Sequence, residues 1–149
     1  MQIRTLSTMG LLLTAGLAGC GGSTDAPHLS LEPVSGKVTY AGQPVSGLRV
    51  LFVPLNKTAG QGAFAVTEDD GSFELEQQSQ DPGVPAGQYA VLFSRYVKAD
   101  GTPVPPGTSP TESNAVEAIS PIWNDPGQAG PHNTVTVPEG GKSFEFSIP

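Results

Sequence analysis

The stretch VSGKVTYAGQPVSGLRVLFVP, residues 34–54, decides how this chain is read. Val34, Gly36, Val38 and Tyr40 share one face of an extended segment, while Ser35, Lys37 and Thr39 share the other. That period of two marks a half-buried strand. Ala41-Gly42-Gln43-Pro44 turns the chain, and Leu48-Arg49-Val50-Leu51-Phe52-Val53 reads as a second strand stopped by Pro54. The second strand is apolar on both faces, Val50 and Phe52 on one and Leu51 and Val53 on the other. A strand of that kind needs cover on both sides.

The same grammar continues downstream. Ala63-Phe64-Ala65-Val66-Thr67 and Ser72-Phe73-Glu74-Leu75-Glu76 read as strands flanking a tight hairpin turn, Glu68-Asp69-Asp70-Gly71, whose Asp-Gly supplies the positive φ such turns need. Tyr89 to Ser94 is a further strand, introduced by Pro85-Ala86-Gly87 and carrying Leu92 opposite Tyr89, Val91 and Phe93. Asn133 to Val137 and Ser143 to Ile148 read as a closing hairpin across residues 138–142. Seven short strands at this spacing predict an all-β protein, a seven-stranded Greek-key β-sandwich over residues 34–149. Residues 97–132 form a long loop with seven prolines. Its predicted place is over the outer apolar face, with Ile119, Ile122 and Trp123 as pins. Burying the tryptophan there would stabilise the fold by roughly 2–3 kcal/mol.

Composition agrees with strands and turns. Gly (19) and Pro (15) approach a quarter of the 149 residues, too many for a helical protein. The length suits one domain with a single core. The formal charge is −7, and an acidic, Lys-poor surface repels phosphate backbones, so no nucleic-acid partner is expected. Cys20 is the one cysteine, so no internal disulfide can form and the fold must rest on apolar packing.

The position of that cysteine explains it. Met1 to Arg4 gives one positive charge, and an apolar stretch runs from Leu6 to Leu17, too short and Gly-punctuated to stay as a membrane span. It ends Leu17-Ala18-Gly19-Cys20, which resembles the bacterial lipobox. The resemblance implies a signal peptide over 1–19, cleavage between Gly19 and Cys20, and lipidation of Cys20, with palmitate-type acyl chains. One acyl chain holds a membrane only marginally, at about 0.8 kcal/mol per CH2, whereas several on one residue anchor it durably. Cys20 is thus read as an anchor rather than a nucleophile. Without Arg4 the mature chain keeps six basic against fourteen acidic residues. Residues 20–33 read as the lipidated cysteine and a flexible tether, with His28 a solvated residue inside it.

In their order, Ser35-Gly36-Lys37-Val38-Thr39-Tyr40, Gly42-Gln43-Pro44-Val45, Val50-Leu51-Phe52-Val53-Pro54, Thr67-Glu68-Asp69-Asp70-Gly71-Ser72-Phe73 and Pro85-Ala86-Gly87-Gln88-Tyr89-Ala90-Val91 resemble the carboxypeptidase regulatory-like, transthyretin-like β-sandwich of small bacterial lipoproteins. Pro121-Ile122-Trp123-Asn124-Asp125-Pro126 also resembles a family element, with Ile122 and Trp123 standing where a basic residue and a tyrosine are usual. The resemblance implies a binding or structural module and supplies no catalytic residue.

Chemistry-bearing groups are sparse. Glu68-Asp69-Asp70 lacks the spaced ligands of a calcium loop and fits a hairpin turn. His28 and His132 lie in unrelated segments with no second zinc ligand at a useful spacing, and they build no Ser-His-Asp set. Some related sandwiches form an internal Lys–Asn isopeptide bond from the first strand to the last. Here Lys37 should face outward, and the last strand has no asparagine. The expectation is therefore a non-catalytic envelope lipoprotein without metal or cofactor, held in the membrane by lipid and acting as a structural or protein-binding module, with exposed edge strands as one route. The alternative is a carbohydrate-binding accessory using Trp123, Tyr96 and Tyr40, which requires those rings to be exposed together. Gly21 after Cys20, rather than an aspartate, favours the outer membrane.

Overall fold

A computed structural model of the chain describes residues 29–105 and 107–149. The leader, Gly19, Cys20 and most of the tether with His28 lie outside the described residues. These form ten strands: β1 (Val34–Tyr40), β2 (Gln43–Pro44), β3 (Arg49–Pro54), β4 (Ala63–Val66), β5 (Ser72–Glu74), β6 (Gly87–Ser94), β7 (Tyr96–Val97), β8 (Val116–Glu117), β9 (Thr134–Val137) and β10 (Lys142–Ile148). One helical turn, α1 (Pro121–Asn124), and a 3-10 turn at Pro126–Gln128 precede β9. The two-residue strands β2, β7 and β8 have no counterpart in the sequence reading, because two residues are too few to show a period.

One sheet is centred on β1, which pairs in parallel with β10 and antiparallel with β5 and β2 at successive stretches of its other edge. The second sheet has the order β4-β3-β6-β9, all antiparallel. The alternation in β1 holds: Val34, Gly36 and Val38 are buried and Lys37 is exposed. Aromatic rings join the two sheets, with Phe52 and Phe144 centroids 6.0 Å apart and Phe93 and Phe146 5.1 Å apart. Val50, Tyr89, Val91, Phe73, Leu75 and Ile148 complete a continuous core, giving a small all-β, sandwich-like body. Gly36 is inward for a steric reason. A Cβ there would stand 2.2 Å from the Phe144 carbonyl oxygen and 2.7 Å from the Phe73 ring.

Of the two expected hairpins the first forms in part and the second does not form. At Glu68-Asp69-Asp70-Gly71 the turn itself forms: Gly71 takes φ +78 and its N–H donates to the Glu68 carbonyl at 2.9 Å. Beyond it β4 joins β3 and β5 joins β1, yet the arms keep the hairpin register at their far end, where Phe64 and Glu76 exchange backbone hydrogen bonds at 2.9 and 3.0 Å. The expected closing hairpin does not exist. β9 pairs with β6 and β10 with β1, so residues 138–141 carry the chain from one sheet to the other. Both β9 and β10 have one apolar face, and each turns it into the core from a separate sheet. Gly141, at φ +81 and pressed against the Pro33 carbonyl, makes that crossing possible.

Two buried hydroxyls are matched to backbone. The Thr67 hydroxyl donates to the Val45 carbonyl at 2.6 Å and accepts the Leu48 N–H at 3.0 Å. The Tyr89 hydroxyl donates to the Pro85 carbonyl at 2.7 Å, and burial pushes that phenol up to about 12. Hydrogen bonding begins ahead of β1. Glu32 exchanges backbone bonds with Val84, and Pro33 accepts the Lys142 N–H.

Candidate functional site

The outward phase of β3 is Arg49, Leu51 and Val53. In register, Arg49 lies opposite Val66 on β4 and Ser94 on β6, Leu51 opposite Phe64 and Leu92, and Val53 opposite Ala90. Across β4, β3 and the later part of β6 the outside of this sheet is therefore apolar apart from Arg49 and Ser94, and toward β9 it turns polar through Gln88, Thr134 and Thr136. Two open grooves meet along it at Arg49 and Phe64. One, of about 410 Å³, runs past Val66 and Tyr96 to Val104, Pro105 and Pro110. The other, of about 460 Å³, runs past Leu51 to Gln61, Gln77, Gln78 and Ser79. The Arg49 guanidinium lies over the Phe64 ring, 5.4 Å from its centroid.

The arch over the first groove is built by local bonds. β7 and β8 pair Tyr96 with Glu117 and Val97 with Val116. Val104 donates its N–H to the Tyr96 carbonyl at 2.9 Å, and Lys98 donates to Thr102 at 2.9 Å. Bonds from the Thr102 hydroxyl and N–H hold the Asp100 carboxyl below its usual range. The Glu117 carboxylate accepts from the Ser94 hydroxyl at 2.6 Å and from the N–H groups of Arg95 and Ile119 at 2.8 and 3.0 Å. It fastens the arch to the end of β6.

The Pro-rich segment reaches the outer face through Val104, Pro105 and Pro110, which line the first groove, and the expected pins do not cover that face. Ile119 is buried in the core between the sheets, Trp123 packs half-buried on Phe93 at 5.9 Å, and Ile122 is 46% exposed. The cause is the short β9. It pairs with residues 87–90 of β6, with one more bond from Val91 to Asn133, and leaves the later part of β6 without a strand on the edge away from β3. Phe93 and Phe146 are open on that side, and Ile119 and Trp123 close the gap. The His132 ring meets Trp123 edge-on at 4.8 Å, and its Nε2 lies 3.1 Å from the Ile122 carbonyl.

The rings proposed for sugar binding are not exposed together. Tyr96 is 41% exposed beside the first groove. Tyr40 is half-buried against the core, and its hydroxyl donates to the Ala118 carbonyl at 3.3 Å. Lys37 faces outward and pairs with Asp70 at 3.2 Å. Asp70 is also the acceptor for the Ser72 hydroxyl and N–H, and these bonds with Lys37 lower its carboxyl to about 2. The acidic run thus works as turn chemistry. Among the described residues no group of three His, Cys, Asp or Glu side chains is placed to hold a metal, and no helix is long and apolar enough to cross a membrane.

Arg49 and Phe64 were missed by sequence reasoning. The available signal was the doubly apolar β3, which pointed to cover but not to an incomplete one.

No family model matches the chain, and no curated protein does. Among solved structures it is similar to the major pilin subunit BcpA of Bacillus cereus, at 12% identity over 80% of this chain and 29% of the pilin chain, with a TM-score of 0.39. It is also similar to a 9R-lipoxygenase from Cyanothece, at 13% identity over 80% of this chain and 16% of that one, with a TM-score of 0.35. The chain spans less than a third of either protein.

Proposed function

We propose that this chain is an envelope lipoprotein, anchored through Cys20, whose body is a carboxypeptidase regulatory-like β-sandwich acting as a non-catalytic protein-binding module. The observation that carries the binding role is the open apolar groove on the outside of the β4-β3-β6 sheet. An apolar groove left open beside a built arch offers a partner a surface on which to dock. The non-catalytic reading draws support from how the carboxylates are used: Asp70, Asp100, Asp125 and Glu117 each accept backbone N–H groups and hold turns or the arch. The family reading draws support from the five motifs, which fall on β1, β2, β3, the 68–71 turn and the start of β6. The sugar-binding alternative loses its main support because Trp123 and Tyr40 are packed against the core.

Replacing Cys20 by serine tests the anchor. The Cys20→Ser chain should leave the membrane fraction and run as an unacylated species, whereas the parent takes up a fatty-acid analogue. Equal membrane retention of both would refute lipid anchoring.

A further inference from the structure

We propose that the two-lobed groove binds an extended, acidic segment of a partner protein, with Arg49 receiving a carboxylate and the Tyr96–Pro105 lobe receiving the neighbouring apolar side chain. This rests on the protein-binding reading above and names the partner's chemistry. The chain carries fourteen acidic residues against seven basic ones, yet neither lobe is lined by an aspartate or glutamate. The nearby Glu117 carboxylate is engaged by Ser94, Arg95 and Ile119. Arg49 therefore stands as a cation within an apolar surface, and among the described residues it makes no ion pair or side-chain hydrogen bond. Its planar fork is suited to a carboxylate, and the Phe64 ring beneath holds it in place.

Several observations favour polypeptide over sugar. The guanidinium occupies a face of the Phe64 ring, so that face is not free for stacking. Val66, Val104, Pro105 and Pro110 offer aliphatic walls that suit a side chain. At the other end, Gln61, Gln77 and Gln78 make no side-chain hydrogen bonds among the described residues, leaving donors and acceptors for a peptide backbone. Grooves of this size take a few residues in extended form.

The test is selection of phage-displayed random dodecapeptides on the full chain in detergent micelles, with the Arg49→Glu chain as a parallel target. The parent should enrich peptides that carry Asp or Glu beside apolar residues, and Arg49→Glu should enrich Lys or Arg instead. A selected acidic peptide should bind Arg49→Gln about tenfold more weakly or worse, and the Tyr96→Ala chain likewise. Arg49 is exposed, so thermal unfolding of its variants should match the parent. No enrichment, or peptides indifferent to residue 49, overturns the proposal.

Photo-cross-linking in intact cells separates this proposal from the broader reading. Benzoylphenylalanine replacing Val66 should yield a protein adduct that Arg49→Glu abolishes. Adducts only when the probe replaces Glu145 on β10 overturn the groove while leaving protein binding intact. Glycan adducts overturn both readings, as does the absence of adducts at either position.

Discussion

Thr67 shows how much one hydroxyl can organise. It is buried, and it serves the Leu48 N–H and the Val45 carbonyl at once, fixing the loop that leads into β3. Thr67→Val keeps the shape and strands both backbone groups away from water. It should cost about 1–3 kcal/mol, read as a lower urea midpoint with an unchanged slope. Asp70 makes the opposite kind of contribution, at the surface. Hydrogen bonds from the Ser72 hydroxyl and N–H, with Lys37 beyond them, lower its carboxyl from 3.8 to about 2. Its stabilising effect is complete above 3.8 and is lost as pH falls through about 2, because in that window the unfolded chain binds the proton first. Melting temperatures measured through this range should fall less steeply for Asp70→Asn than for the parent.

At the scale of elements, the segment around α1 substitutes for a strand. Trp123 lies over Phe93 where β9 stops short. Trp123→Ala would reopen that side of the core and should destabilise by roughly 2 kcal/mol, less than a fully buried tryptophan because the ring is half-exposed. An unchanged melting temperature would show that the ring contributes no packing. The longer strands were legible because alternation along β1 and β10 follows directly from one buried face, and the unbroken apolar run of β3 from two. The partners of β4, β5, β9 and β10 were not legible, since an alternating strand states which face is buried but not whose edge it joins. Leu51 and Val53 announced a second apolar face, but Arg49 and Phe64 became a candidate site only through register. Ile119 and Trp123 were recognisable as apolar pins, and the side they pin depends on where β9 ends, which no local pattern encodes.

Across the whole molecule, the two links 67–71 and 138–141 each cross from one sheet to the other, and aromatic contacts join the layers between them. Neither sheet keeps its core without its neighbour. Unfolding followed by Trp123 fluorescence and by far-ultraviolet circular dichroism should therefore give superimposable curves; separated midpoints would mean that the layers come apart independently. The parallel pairing of β1 with β10, from Val34 opposite Lys142 to Tyr40 opposite Ile148, has a mechanical side as well. Traction that draws the front of β1 one way and the back of β10 the other acts along the ladder, in shear. Its rungs must then give way together, whereas a pull on the 138–141 crossing would peel them one after another. A body held at its front and tugged at its rear meets the stress in its toughest direction.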